Sequence, residues 1–479
     1  MQSIKKNVGW SSVLTTANYI FPLLTYPYVS RVLGVSNIGI CNFVDSIVNY
    51  FCFFSMMGMS YLAIREVAKS KGDSKKLSIA FSSLLTLNLI TTIIVIVVLT
   101  GAIFLVPRFN EHAELLFIGV LKVLFNSLLI EWLYKGLEEF RYVTIRSILV
   151  RLVYVASVFI FVREKNDYPI YYLLLTLTIV INAVINMLHS RKYVRFTIQM
   201  VSYASLANLI KPFIILGIYH LLTSLYKTFN IVYLGFEGGN EQVGYYTTAT
   251  KLHGIILALF SAFTGVMMPR MASLVSEGRK TEFEILFKKS IIILFAFSVP
   301  IMCLCAIFSE NIIRLISGIG YEGATPSMQI VMPLVFILGY EQILVYQILM
   351  PLKKDRSIFV NSIVGAIIGL CLNFLLVPYL HSIGSALVWL LSEIGVLISA
   401  QYFVNKYVSM MFPFKYLAKY AILYFPLFCT LFLLHQWKPL GSDISFILAC
   451  LITLLYFITV ELLIQKNDLI LSLLSKIKK

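Results

Sequence analysis

The chain has 479 residues, of which 59% are hydrophobic and 13% charged. Runs such as LLTLNLITTIIVIVVLTGAIFLV (84–106) exceed the ~20 apolar residues that cross a bilayer. They recur along the whole length, which excludes a soluble domain and points to a polytopic helical membrane protein. The formal charge of +16 reads as membrane topology rather than nucleic-acid binding, because the positive residues fall in short loops on alternating sides.

Fourteen spans are predicted, at 9–31, 38–63, 78–105, 113–135, 142–162, 169–189, 206–234, 244–268, 287–308, 328–350, 357–377, 383–404, 416–436 and 444–464. MQSIKKNVGW leads into the first of them without a small-residue cleavage site, so no cleavable signal peptide is expected. Placing the N-terminus inside puts 28 Lys and Arg in inside segments and 6 in outside ones. Both termini are therefore expected in the cytoplasm.

A repeat is visible between the first half and the second. NIGICNFVDSI (37–47) aligns with QVGYYTTATKL (242–252), setting Gly39 on Gly244, and the same offset sets Arg65 on Arg270. Upstream, RVLG (31–34) and VYLG (232–235) both close the preceding span. The copies share one orientation, which predicts two six-helix lobes related by an axis along the membrane normal. The expected all-α fold has an N-lobe at 1–200 and a C-lobe at 201–405. Residues 406–479 add two further helices and a cytoplasmic tail.

Five cations fall inside spans: Lys122, Arg151, Lys211, Lys227 and Lys251. Each costs roughly 2.5–3.5 kcal/mol at the bilayer centre unless it faces a bundle interior or a wet cavity. Lys211 is shallow and reads as snorkelling. Lys122, Arg151, Lys227 and Lys251 are candidates to bind an anionic substrate, with Lys227 and Lys251 at similar depth as the best pair. Arg31, at the outer end of span 1, is a further gating or binding candidate; a helix cap or a headgroup contact is the alternative. Asp45, Glu131, Glu341 and Glu393 are candidate cavity acids or coupling groups, and Glu461 is near an interface. Structural ion pairs between helices are the competing reading for every one of these charges. Asp45 is placed to partner Lys227 or Lys251.

The remaining polar and special residues have milder readings. Pro22, Pro27, Pro212, Pro300, Pro333 and Pro426 interrupt spans, as suits either a rocking transporter or ordinary membrane helices. His220 and His253 are candidate proton relays, against a structural role. The tyrosines read as belt or packing residues. The seven cysteines lie in apolar segments without metal spacing and read as buried packing residues. No cofactor or metal site is indicated. There is no phosphate-binding loop, zinc-protease motif or nucleophile elbow, so an enzyme is not expected. A secondary transporter for a large anion remains.

EWLYKGLEEFRYVTIRSILVRLVYV (131–155) resembles the acidic-Trp…Gly-Leu-Glu…Tyr…Ile-Arg segment of bacterial polysaccharide repeat-unit flippases. These are the Wzx-type proteins of the polysaccharide transporter family, within the multidrug/oligosaccharidyl-lipid/polysaccharide exporter superfamily. SRVLGVSNIGICNFVDSIVNYF with GMSYLAIREVAKSKGD, EQVGYYTTATKL with MMPRMASL, and LNFLLVPYLHSIGSALVWLLSEIG (372–395) are similar to the same family. The resemblance implies a two-lobed fold with a central cavity in the bacterial cytoplasmic membrane. It implies transfer of undecaprenyl-diphosphate-linked oligosaccharide, such as O-antigen units, to the outer leaflet, with polymerases and glycosyltransferases as partners. A flippase for another lipid-linked precursor, of peptidoglycan or teichuronic type, is the nearest rival. A multidrug or cation antiporter is a second, although it would favour twelve spans and an acidic cavity.

Overall fold

The computed structural model describes residues 4–197, 199, 201, 203–225, 228–437 and 441–464. Those residues are helical apart from short connections, because a backbone in lipid must satisfy its own hydrogen bonds. The first helices are α1 (Ile4–Met56), α2 (Met59–Lys69), α3 (Ser74–Leu105), α4 (Pro107–Asn110), α5 (Ala113–Ser127) and α6 (Glu131–Gly136). Next come α7 (Phe140–Phe161), α8 (Tyr168–Ser190), α9 (Tyr203–Ser224), α10 (Thr228–Glu237), α11 (Gly239–Ser276) and α12 (Lys280–Ile307). The chain ends with α13 (Ser309–Ser317), α14 (Ala324–Val331), α15 (Leu334–Gln342), α16 (Asp355–Val408), α17 (Phe414–Trp437) and α18 (Ser442–Thr459).

Among the described residues ten helices are long and apolar enough to cross a membrane, or eleven if the two arms of α11, bent by 41°, count as one span. The sequence predicts fourteen; α1 and α16 each count once here although each holds two expected spans. The difference lies in how the chain breaks. Helix α1 is two helices meeting at a kink, 53 residues in all, enough at 1.5 Å per residue to cross a hydrocarbon core of about 30 Å twice. It joins the first two expected spans, with only Gly34 (φ 75°, ψ 170°) leaving helical geometry. Helix α16 likewise joins two expected spans across His381 (φ 46°, ψ −117°). The seventh expected span is divided between α9 and α10.

The chain divides into two compact units. Unit 1 gathers the described residues up to Thr247 together with Gly369–Ser385; unit 2 gathers Thr248–Ile368 and the described residues from Ala386 on. In unit 1, connections that the sequence assigns to the same side do meet. At one end Lys71 pairs with Glu138 at 2.9 Å, and Leu77, Val143 and Val194 share a buried cluster with Val67 and Trp132. We call this the basic end. At the other end the Asn37 amide donates to the Lys165 carbonyl at 2.7 Å, and Arg108 donates to the Gly235 carbonyl and to Asn240 Oδ1. The Ser382 hydroxyl donates to Gln242 Oε1 at 2.7 Å.

The repeat is visible at this second end. Gly34 and Gly239 both adopt left-handed φ, 75° and 77°, where only glycine is free of Cβ strain. The helical segments that follow them cross at Gly39 and Gly244. A Cβ on Gly39 would overlap the Asn240 carbonyl, and one on Gly244 would overlap the Val35 carbonyl. Asn42 Nδ2 donates to Thr247 Oγ1 at 2.8 Å, joining residues 205 apart, the repeat offset itself. Such reciprocity, residue i on j and j's equivalent on i's, is what a two-fold relation produces.

In unit 2, α12 packs along α17, with Phe295 stacked on Tyr420. The Tyr340 hydroxyl donates to Gln401 Oε1 at 2.6 Å, and the Thr264 hydroxyl donates to Gln342 Oε1 at 2.8 Å. Helix α3 is apolar on every face, and Ile93, Ile94, Val97 and Val98 are exposed, as lipid contact requires. Most cysteines are at least half-buried as expected, but Cys371, in α16, is exposed.

Candidate functional site

The helix that begins at Ala113 stops at Ser127, and the chain turns through Ile130 before restarting at Glu131. Ile130 has φ 36° and ψ 30° and is fully buried. A β-branched residue in that region is strained, and such strain persists where the surroundings fix it. The turn sets the Glu131 carboxylate at the start of α6. Its Oε1 accepts from Arg146 Nη2 at 2.8 Å, and its Oε2 lies 3.1 Å from Lys135 Nζ, one turn on. Arg146 also donates to the Ser147 hydroxyl at 2.8 Å.

The positive-residue count treats Arg146 as a loop residue. The structure instead buries its side chain to 4% exposure, within α7. This is the charge in the candidate site that sequence reasoning missed. The available signal was its place two turns inside an apolar helix, five residues before Arg151. Arg151 itself is half-buried in α7, and its buried Nη1 donates to no acceptor among the described residues. One carboxylate thus serves two cations, Arg146 and Lys135.

Lys122 is placed differently from its expected role. Its Nζ lies 2.5 Å from Asp45 Oδ1 and 2.9 Å from Asn49 Oδ1, while Asn49 Nδ2 donates to Asp45 Oδ2 at 3.0 Å. The three side chains close a ring between α1 and α5, with Lys122 only 12% exposed. Asp45 therefore partners Lys122, a lysine not proposed for it from depth. A cavity of about 300 Å3 lies next to both charge clusters, lined by Asn49, Phe53, Asn126, Glu131, Trp132 and Lys135 among others.

At the glycine end, Arg31 is exposed and Nη1 donates to the Pro27 carbonyl of its own helix at 2.9 Å. Lys227 lies outside the described residues, as does the side chain of His220. Lys211 is exposed. The other candidates belong to unit 2. Lys251 and Glu341 are half-buried there. Glu393 is fully buried and accepts from Trp389 Nε1 at 3.1 Å, and the Trp389 ring meets the buried His253 edge-on at 5.1 Å. Glu461 is fully buried and accepts from the Tyr424 hydroxyl at 3.5 Å. The structure thus brings together Glu131 with Arg146 and Lys135, and Asp45 with Lys122. Among the described residues no cluster of His, Cys, Asp and Glu suits a metal ion.

Three comparisons bear on this arrangement. A sequence profile described as polysaccharide biosynthesis protein matches residues 4–275. A protein of Escherichia coli (strain K12), described as a candidate O-antigen transporter, is 27% identical over 395 residues, covering 82% of this chain and 94% of that one. Among solved structures, a lipid II flippase, MurJ, in an inward closed conformation superposes with a TM-score of 0.79 at 15% identity, covering 97% of this chain and all of that one. An inward-facing multidrug transporter of the MATE family and MOP superfamily superposes with a TM-score of 0.62 at 13% identity, covering 81% and 96%. At these identities the structural likeness speaks for the fold.

Proposed function

This chain belongs to the polysaccharide biosynthesis protein family, and we propose that it is a flippase that moves undecaprenyl-diphosphate-linked polysaccharide repeat units from the inner to the outer leaflet of the bacterial cytoplasmic membrane. Its membrane-spanning helices, its fold and the transporter relative support transport in place of catalysis. One observation supports the substrate class: the buried Nη1 of half-buried Arg151, midway along α7, has no acceptor among the described residues. A withdrawn guanidinium nitrogen without an acceptor is costly, and the phosphates of a diphosphate can accept from such a group bidentately.

In this reading Lys251 and Lys227 supply further positive charge from the second lobe, with lobes at 1–200 and 201–405, fourteen crossings and both termini in the cytoplasm. The glycine crossing at Gly39 and Gly244 closes the outer end while the basic end faces the cytoplasm, and alternating access requires the crossing to part. Moving an anion outward across an inside-negative membrane is favoured by ~2.3 kcal/mol per charge per 100 mV. The relative's description favours O-antigen units; a peptidoglycan-type lipid is the second reading, favoured by the fold shared with the lipid II flippase.

The test is transfer of lipid-linked oligosaccharide to the outer leaflet of reconstituted vesicles. Arg151→Glu should abolish transfer at normal expression, and Lys211→Glu, at the exposed position, should not. Transfer by Arg151→Glu at the parent rate would remove the cation from the mechanism.

A further inference from the structure

At the glycine end the connection between α3 and α5 reaches across to α10 and α11. Arg108, in the short helix α4, directs its guanidinium there. Nε donates to the Gly235 carbonyl at 3.2 Å and Nη2 to Asn240 Oδ1 at 2.9 Å, while Nη1 pairs with Glu111. The guanidinium also sits 5.6 Å from the centre of the Phe43 ring on α1, and Phe236, next to Gly235, packs against Phe43 and Phe109. Asn240 follows Gly239, the left-handed residue at which α11 starts, and its carbonyl is the group that meets Gly39 at the crossing. One arginine thus ties down the segment that forms the crossing.

A titratable group stands beside that arginine. His112, four residues on, is half-buried, with its ring edge-on to Phe43 at 6.0 Å and beside the Asn240 side chain. Its Nε2 is buried and has no hydrogen-bond partner among the described residues. The charged side chains that face it are Arg108 and Glu111, both on its own connection; α1 presents the Phe43 ring and α11 the Asn240 side chain. His112 precedes the span that starts at Ala113, so it lies outside the membrane-crossing segments. Burial first, and then the Arg108 charge, hold its pKa below the usual 6.5, against the opposing pull of Glu111 and Asn240. A neutral imidazole can leave Nε2 bare, but an imidazolium carries N–H on both nitrogens. The charged form would therefore bury a donor without an acceptor, next to a second cation.

We propose that Arg108 and His112 form a proton-released latch on the glycine crossing: the Arg108 bonds hold α10 and α11 while His112 is neutral, and protonation of His112 releases them. Glu111 allows the exchange, since its carboxylate can leave Arg108 for the new imidazolium. The inference rests on the flippase reading above for its purpose, because that reading requires the crossing to part. A histidine whose value is lowered in the latched state leaves that state intact above the ordinary 6.5 and weakens it as pH falls from 6.5 toward the lowered value. With the glycine end outward, acid on the outer face favours release.

The experiment uses the full chain in lipid nanodiscs, without substrate, and with Cys371→Ser to remove the exposed native thiol. Nitroxide labels go on Asn110→Cys and Glu241→Cys, two exposed positions on either side of the latch. Electron spin resonance reads the fraction of molecules whose labels have separated, between about pH 8 and about pH 5, the range in which histidine changes charge. In the parent that fraction should rise as pH falls through 6.5, by up to about tenfold for each pKa unit that separates the two states of His112. His112→Gln, which takes up no proton, should keep the labels close across the range, and His112→Lys should hold them apart even at the alkaline end. Arg108→Gln should separate them at every pH. A spacing in the parent that does not change with pH overturns the latch, as does a pH step that survives His112→Gln. Should the His112 variants fail to fold, Arg108→Gln decides, since labels that stay close in it overturn the proposal. Every arm is free of substrate, so these failures leave the flippase reading standing; loss of transfer by the parent in the vesicle assay would remove that reading and leave the pH-dependent spacing in place.

Discussion

The crossing at Gly39 and Gly244 gives a prediction whose size can be worked from the geometry. A Cβ added to Gly39 would lie 2.6 Å from the Asn240 carbonyl carbon and nearer still to its oxygen, and both atoms are backbone. Rotamer changes cannot relieve that overlap, so the two backbones must part by roughly 1 Å, an overpacking that costs ~1–3 kcal/mol. The cost falls on the crossed state alone. Gly39→Ala should therefore move the balance between crossed and parted states by about five- to 150-fold, since 1.4 kcal/mol is a factor of ten. The assay is disulfide formation between cysteines placed at Asn42 and Thr247, which are hydrogen-bonded to each other. Cross-linking of the pair should slow by that factor in the Gly39→Ala background. Gly101→Ala, where a Cβ meets nothing within 4 Å, should leave the rate as it is. An unchanged rate in Gly39→Ala, with the protein folded, would refute the crossing as a contact that opens and closes.

Three further outcomes are expected. Glu131→Ala leaves the Arg146 guanidinium buried without its carboxylate, and loss of one partner from such a pair costs ~3–5 kcal/mol; thermal unfolding in detergent should show a large drop, and a drop within error would mean the pair is not formed. Asp45→Asn and Lys122→Met should each weaken the protein, while the double variant recovers part of the loss, because the two groups neutralise each other at 2.5 Å; additive losses in the cycle would exclude the pairing. At the start of α3, Asp73 accepts from the backbone N–H groups of Lys76 and Lys75, which hold its carboxyl below the usual 3.8. A lowered folded value means that the cap is intact above 3.8 and is lost as pH falls through the folded value. Hydrogen exchange over residues 74–80, corrected for its intrinsic rate, should therefore rise at acid pH in the parent and show no such step in Asp73→Ala.

The membrane class, the position of most helices and the family likeness were legible in the amino-acid sequence, because a bilayer imposes its demand on every apolar run locally. The repeat was legible too: Gly39 and Gly244, and Asn42 and Thr247, stand at one offset, and the structure places both pairs against each other; Gly34, set beside Gly235 by RVLG and VYLG, has its torsional counterpart in Gly239 instead. What hydropathy does not encode is the rotation of each helix about its axis, and hence which charges meet. Only the tertiary structure paired Lys122 with Asp45, 77 residues away, and withdrew Arg146 from the loop count to clamp Glu131. It also showed that the breaks expected between the spans at 31–38 and 377–383 are sharp kinks at Gly34 and His381, since one backbone torsion can turn a helix without any change in composition.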